Sequence, residues 1–532
     1  MQRLSNTLLT IAIATAALLG ALPATAQEKP LAWPTREWPL SSPEAEGMSS
    51  EALTRLVEYG ATNAMDSLLV TRHGKVVLDA AYAPFQAGLK HRMYSTTKSV
   101  TSTLIALAIR DGKLDSTDRK LVDFFPDLTI ANLDERKKAI TIRHLLDMTS
   151  GLEWIEGLSG PPASYIAMER SPNWVQYILD RPMVAAPGTV FYYNTGNSHL
   201  LSAILGKVTG RSALDYARET LFGPLGIEDV IWRGDRQGIP GGGNGLYLKP
   251  GDMAKFGYLY LRNGQWEGKQ IVPVSWIDAV RAANVGMNES WATRLRYGSQ
   301  FWVIPSKDIY MAVGFHRQLI IVMPKQDIVV VATGASRFPA YGGPPFSPNY
   351  GFEALIGRVE AAVKSETALP PEPLARAALA ERLREAAQEK PTPVGGSPDL
   401  AKTISGRTYR LDANPLGITS LTLKFEGPQG TYELGSFEYE VGDRQTAVPP
   451  GRYGGPIGFD GHYRIGGRLP FGPSAARGTW LADGTSLVTE VQTPGNDDTA
   501  RVTHLFNGKT VELEFESAGG YPKMKLHGQA DD

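Results

Sequence analysis

Residues 91–114 read HRMYSTTKSVTSTLIALAIRDGKL, and this stretch holds the Ser-x-x-Lys of the chain, Ser95 and Lys98. After Ser95, the residues Val100, Leu104, Leu107 and Ala108 recur at helical spacing, and Asp111-Gly112 supplies a C-terminal stop. Ser95 is therefore predicted at or near the first turn of a buried helix. Residues three apart share a helix face, so Ser95 and Lys98 point the same way. A serine hydroxyl is a poor nucleophile at neutral pH and needs a base within hydrogen-bond reach. A lysine serves if burial and nearby cations lower its pKa enough to leave it neutral. By itself the pattern also fits an N-cap serine followed by a surface lysine.

A second stretch adds chemistry. PGTVFYYNTGNSHLL (187–201) contains the chain's Tyr-x-Asn, Tyr192-Tyr193-Asn194, in a loop between an extended segment and a helix. Tyr192 there can relay a proton to a leaving group, and the Asn194 amide can hold a substrate carbonyl or the lysine. Taken alone, Tyr192 also reads as a half-buried aromatic.

Upstream, SLLVTRHGKVVLDAAY (67–82) reads as two strands around a turn at His73-Gly74. Downstream the pattern is mostly helical to about Asn288. KDIYMAVGFHRQLIIVMPKQDIVVVATG (307–334) then gives three strand-like runs with a turn at Pro324 to Asp327, and a helix follows over 351–364. Residues 365–400 change character: a charged, Ala-rich helix lies between Pro-rich edges, which reads as a linker carrying a helix. From 401 to 532, short strands alternate with Gly/Pro/Asp turns, the mark of a small, separate all-β domain.

Bulk properties set limits. At 532 residues the chain is too long for one ordinary core. Its 42% hydrophobic and 20% charged residues fit a soluble globular protein, and the net charge of −1 without a basic block argues against nucleic acid or an anionic membrane as partner. There is no cysteine, which excludes disulfides, cysteine nucleophiles and thiolate metal sites. Residues 1–26 read as a secretory signal peptide: Arg3, an apolar run from Leu8 to Leu22, then Ala24-Thr25-Ala26 before Gln27. That run is short for a membrane span, which needs ~20 residues. A periplasmic or secreted protein with no integral span after cleavage is expected. No His/Asp/Glu cluster has metal-ligand spacing, and neither a metal nor another cofactor is expected. GGGNG (241–245) has no lysine after it and is not a phosphate loop. His144 and His199 read as structural.

Together the motifs resemble the class C β-lactamase-related serine hydrolases, a family that includes DD-peptidase-like enzymes and family VIII esterases. The resemblance runs from about Trp38 to Lys364 and rests on 93–114, on TIRHLLDMTSGL, on PGTVFYYNTGNSHLLSAILGKVTG, on LFGPLGI, on the stretch 241–264 and on VMPKQDIVVVATG. The wording MTSGLEWIE and SPNWVQYILDRP is most similar to the 6-aminohexanoate-dimer hydrolase branch. It implies an α+β fold of β-lactamase/penicillin-binding-protein type: an antiparallel sheet flanked by helices plus a helical subdomain, spanning 27–364. It further implies Ser95 as acylated serine, Lys98 as base, Tyr192 as catalytic tyrosine and Asn194 as the asparagine of the second motif. The third family element, Lys-Thr-Gly or a replacement, falls on Gly314-Phe315-His316-Arg317-Gln318, where relatives often carry Gly-Gly-Gln. Arg317 in place of glycine is a departure from that pattern. The segment is expected to be a strand beside the serine, so only one of His316 and Arg317 is expected to face the pocket. An oxyanion hole is expected from the Ser95 N–H and a main-chain N–H near Gln318. Trp154, Tyr165 and Trp174 fall in the region that borders the pocket in relatives.

The expectation is a serine hydrolase that cleaves small amides or esters through a Ser95 acyl-enzyme. A β-lactamase or DD-peptidase using the same machinery, or a non-catalytic binding protein on the same fold, are the alternatives. The oligomeric state is not readable from the sequence.

Overall fold

The structure, a computed structural model, describes residues 33–156, 164–283, 285–287, 293–337, 352–435, 451–469, 472–496, 499–518 and 523–531. The expected signal peptide, 1–26, lies outside the described residues.

The apolar runs on either side of Pro324 to Asp327 build the centre of an antiparallel sheet. Its strands are β1 (Met65–Arg72), β2 (Lys75–Ala81), β3 (Val285–Gly286), β4 (Arg296–Gly298), β5 (Phe301–Ile304), β6 (Ile309–Gly314), β7 (Gln318–Met323) and β8 (Ile328–Gly334). Their spatial order is β2-β1-β8-β7-β6-β5-β4-β3. His73 and Gly74 both take positive φ, at 51° and 74°, and close the β1–β2 turn where the sequence predicts it.

Every residue of β6, β7 and β8 is buried, because helices cover both faces of the sheet. Val329 and Val331 turn toward a core shared with α2 (Thr97–Arg110), α3 (Thr195–Thr209) and α4 (Pro250–Leu261). Ile328, Val330 and Ala332 turn toward α1 (Ser50–Thr62) and α5 (Phe352–Ala362). Each such aliphatic side chain contributes roughly 1.5–3 kcal/mol when fully buried, so two-sided burial makes this sheet the main stabiliser of the region. α4 lies so close that a Cβ on Gly257 would meet Val329 Cγ1 at 2.6 Å and Ile320 Cγ2 at 2.8 Å.

The helix predicted inside the linker is α6 (Pro373–Ala387), and it is docked rather than free. Leu379 is buried in the same core as α1, and the Ala83 N–H donates to Ala386 O at 3.0 Å. Beyond it, ten strands from β9 (Thr408–Leu411) to β18 (Met524–Ala530) follow one another around a closed barrel. The β9–β18 pairing, Tyr409 opposite Ala530, closes it. A short helix, Asp399–Ile404, contributes Ala401 and Ile404 to the barrel core. The sheet with its helices and the barrel lie within one compact unit, Trp33–Asp532.

Candidate active site

Ser95 sits in a single 3-10 turn, Tyr94–Thr96, that runs straight into α2. Tyr94 holds a left-handed φ of 47°, an uncommon conformation for an aromatic residue and one that concentrates at functional sites. Two contacts pin the turn to the sheet. Thr96 Oγ1 donates to Gln318 O at 3.0 Å, and a Cβ on Gly314 would meet Met93 O at 2.4 Å. The β6–β7 hairpin therefore presses on the serine turn, and glycine is what lets it approach.

Lys98, only 1% exposed, rises from the next turn of the same helix, as the spacing predicts. Its Nζ lies 3.0 Å from Ser95 Oγ, 2.8 Å from Thr195 Oγ1 and 3.0 Å from Gly243 O. Burial brings its pKa down to about 8, against the opposing pull of Glu156. A Cβ on Gly243 would meet Thr195 Cγ2 at 2.8 Å and Lys98 Nζ at 3.1 Å, so the loop 241–245 is glycine-rich to admit the lysine.

The tyrosine beside Lys98 is Tyr193, not the Tyr192 that the Tyr-x-Asn spacing picks out. The Tyr193 ring centroid lies 4.8 Å from Lys98 Nζ, and the ring packs against Tyr297 and Trp302. Tyr192 is 44% exposed, and its N–H donates to Met148 O at 2.8 Å. Asn194 is also displaced from its expected role. Its Oδ1 accepts from the Asn197 N–H at 3.1 Å and caps α3, while its buried Nδ2 has no partner. The reason is geometric: Asn194 is extended (φ −142°, ψ 103°), and in extended chain alternate side chains share a side. Tyr193 and Thr195 thus face the lysine together.

The segment Gly314 to Gln318 is a hairpin turn, not a continuous strand. Gly314 and Gln318 form the closing pair of β6 and β7, and His316 and Arg317 take φ of 55° and 67°. The expected strand alternation therefore does not operate. The His316 ring packs against Phe315 and Tyr94, with Ser336 Oγ 3.0 Å from its Nδ1. Arg317 Nη1 donates to Asn63 O at 3.0 Å, at the end of α1. The Gln318 side chain is fully buried and donates from Nε2 to Gly334 O at 2.7 Å, so it serves as scaffold.

Of the remaining candidates, Trp174 packs in the first core, 5.0 Å from the His199 ring, whose Nε2 lies 3.0 Å from Asp235 Oδ2. It packs as a core residue. Tyr165 does border the site: its hydroxyl accepts from Asn244 Nδ2 at 2.6 Å, next to the Gly243 carbonyl that holds Lys98. Beside it, burial raises the Glu169 pKa, while Tyr165, Arg92 and Asn244 act in the other direction.

Tyr193, Thr195 and Glu156 are the residues that reading the sequence for motifs missed. Glu156 accepts three hydrogen bonds: from Trp154 Nε1 at 2.5 Å, from the Thr195 N–H at 2.9 Å and from Thr195 Oγ1. Among the described residues no cluster of His, Asp and Glu could hold a metal ion, and no helix is long and apolar enough to cross a membrane.

Residues 54–340 match the family model described as Beta-lactamase. The chain is 23% identical over 284 residues to the 6-aminohexanoate-dimer hydrolase of Paenarthrobacter ureafaciens, covering 50% of this chain and 71% of that protein. It is 30% identical over 165 residues to the monacolin J acid methylbutanoyltransferase of Aspergillus terreus, covering 28% of this chain and 40% of that one. A solved structure of a Bacillus anthracis protein, named after 6-aminohexanoate-dimer hydrolase, superposes with a TM-score of 0.51 at 20% identity. It covers 63% of this chain and 89% of that one, a likeness of fold.

Proposed function

The chain belongs to the Beta-lactamase family of serine hydrolases, and on that footing we propose that it hydrolyses small neutral esters and amides through an acyl-enzyme on Ser95. The observation that carries this is the buried Lys98 Nζ, 3.0 Å from Ser95 Oγ, with its pKa brought down to about 8 by burial. A lysine so placed is a usable base near neutral pH.

In this reading Lys98 takes the Ser95 proton and Oγ attacks the substrate carbonyl. The Ser95 N–H and a main-chain N–H of the 316–318 turn receive the oxyanion. Tyr193 passes the proton from Lys98 to the leaving group, and water then releases the acid. The proposed substrate is neutral because Arg317 is turned away to Asn63 O, which leaves a substrate carboxylate without a guanidinium from this turn. The β-lactamase and DD-peptidase alternative is disfavoured because 314–318 holds no lysine. We place the mature protein outside the cytoplasm on the leader pattern of residues 1–26.

A fluorophosphonate probe and a substrate panel test the reading. Wild type is expected to be labelled at Ser95, to turn over p-nitrophenyl esters clearly and to turn over nitrocefin weakly. Labelling that survives Ser95→Ala would sink the assignment. Nitrocefin turnover at kcat/KM of ~10⁴–10⁸ M⁻¹s⁻¹, the range of good enzyme substrates, would move the protein to the β-lactamase alternative.

A further inference from the structure

The three groups around Lys98 Nζ differ in what they can do. A main-chain carbonyl such as Gly243 O only accepts, at 3.0 Å. Thr195 Oγ1 carries one proton, and it gives that proton to Glu156. Toward Lys98, 2.8 Å away, the threonine oxygen is therefore an acceptor too. The direction of the chain is set at its far end. Glu156 is met by the indole N–H of Trp154, the main-chain N–H of Thr195 and the Thr195 hydroxyl, two of which can only donate.

A neutral lysine amine has two N–H bonds and one lone pair. With Thr195 and Gly243 both accepting, both N–H bonds are spoken for. The lone pair is left to point at Ser95 Oγ, 3.0 Å away, whose hydroxyl is the proton donor the reaction needs. We infer that Glu156 is a positioning residue of this hydrolase, which makes Lys98 a base toward Ser95 by fixing the polarity of the hydrogen-bond chain through Thr195. The inference rests on the proposed acyl-enzyme reading and adds a fourth group to it.

The proton count balances. The Ser95 O–H bond breaks and a third Lys98 N–H forms as Oγ bonds to the carbonyl carbon. When the bond from that carbon to the leaving group breaks, the proton passes from Lys98 through Tyr193 to the departing atom. Between those events Lys98 is an ammonium with all three N–H bonds directed at acceptors. Its new charge faces the Glu156 carboxylate across a single hydroxyl.

Lys98 is faced by Ser95 on its own helix turn, by Tyr193 and Thr195 from the entry to α3, by Glu156 and by the Gly243 carbonyl. Glu169 lies near enough to feel Glu156, and Arg92 acts on Glu169. A carboxylate near Lys98 favours its charged form, so loss of Glu156 moves the lysine pKa down.

The test is a pH profile of Glu156→Gln on a p-nitrophenyl ester, with Glu156→Asp beside it. The expected result is a fall in kcat of about 10–100-fold, up to the lower limit of what a positioned base itself contributes, with KM little changed. The low-pH limb of kcat/KM is expected to move to lower pH in Glu156→Gln, and Glu156→Asp to recover part of both effects. Thr195→Val cuts the chain one link nearer and is expected to lose a similar factor, with Thr195→Ser recovering most of it. This pair carries the test if Glu156→Gln does not fold. Wild-type kcat and an unmoved limb in Glu156→Gln would overturn the inference. So would an equal loss in Glu156→Gln and Glu156→Asp with the limb in place, which is what a merely structural role produces. Fluorophosphonate labelling separates the layers: if wild type is unlabelled the hydrolase reading falls and takes the relay with it. If wild type is labelled and active while the variants match it, the relay alone falls.

Discussion

The central sheet and the C-terminal barrel are both antiparallel, yet they bury their strands in opposite ways. β8 is buried at all of its residues, whereas the barrel strand Gln429–Gly435 alternates between exposed and buried. The sheet lies between two layers of helices and the barrel encloses its own core, so only the first has a helical layer in which polar groups can converge. Lys98, Thr195, Glu156 and Ser95 converge where α2 and α3 meet the hairpin end of that sheet. The barrel's buried histidine, His504, is held by Thr489 at 3.0 Å, and burial pushes its pKa down to about 3. It is a neutral packing group at any working pH. The barrel's charged side chains pair off among themselves, as Glu490 does with Arg477 and Arg501, whereas those around Lys98 converge on a serine hydroxyl.

The harshest way to break that contrast is to remove the nucleophile or its base. Ser95→Ala and Lys98→Ala are each expected to cut kcat by on the order of 10³ or more, and together by little more than either alone, because groups acting as a unit do not add. Ester turnover with a thermal melt on each variant checks this. Substantial activity in Ser95→Ala would remove the site from this region.

The next effect separates two adjacent tyrosines. Tyr193→Phe is expected to lower kcat by ~10²-fold, the lower end of what proton transfer contributes. Tyr192→Phe is expected to stay within about twofold, as befits a half-exposed side chain. The reverse ranking would restore the Tyr-x-Asn reading.

The pH dependence gives a comparable factor over two units. Lys98 must be neutral to accept a proton, and burial holds its pKa at about 8. kcat/KM is then expected to be full above that pH and to fall about tenfold per unit below it. A profile flat from pH 6 to 9 would deny Lys98 the role of base.

Much of this was legible in advance, and the exceptions have physical causes. The Ser-x-x-Lys helix, the turns at His73-Gly74 and at Pro324 to Asp327, and the β-rich C-terminal region follow from local patterns. The hairpin at 316–317 does not, because left-handed positions announce themselves through glycine or asparagine, and here histidine and arginine hold them. Tyr193 was hidden because a spacing motif names residues but not the side of an extended chain on which they fall. Glu156 was hidden because nothing local ties a carboxylate to a lysine in a distant helix. The signal for Tyr193 was its partner Thr195, two residues on across the cap Asn194 and the first residue of α3.

A milder change tests how separate the two regions are. Among the described residues, two hydrogen bonds join the barrel to the rim of the site: the Arg92 N–H donates to Gly495 O at 2.8 Å, and Thr499 Oγ1 donates to Ser336 O at 2.9 Å. Ser336 is the residue that holds His316. A chain ending near Pro391 keeps α6 on the first region and loses these two hydrogen bonds, each worth about 1 kcal/mol, together with the barrel contacts of Glu389, which accepts from the Tyr463 N–H and pairs with Arg477. It is expected to be soluble and to retain ester hydrolysis at a level lowered several-fold. Insolubility would show that the barrel is part of one folding unit with the sheet.

The smallest expected effect concerns Arg317, the residue that departs most from the family pattern. Its backbone is left-handed, which for a residue with a Cβ costs of order 1 kcal/mol that glycine does not incur. Its guanidinium donates to Asn63 O, a partly buried bond worth about 1–2 kcal/mol. Arg317→Gly removes both, and the two nearly cancel, so the melting temperature is expected to shift by only a few degrees in either direction. Activity is expected to remain within about twofold, because the Arg317 side chain is turned away to Asn63 and glycine adopts the same left-handed φ, which keeps the main-chain N–H groups of the turn in place. The informative measurement is KM for a matched pair of esters, one neutral and one carrying a terminal carboxylate. If Arg317 is a strut between the hairpin and α1, both KM values hold and their ratio is unchanged. A selective rise for the carboxylate ester would mean that the guanidinium swings from Asn63 to the pocket when such a substrate binds. Arg317 would then belong to the first region's chemistry and not to its frame.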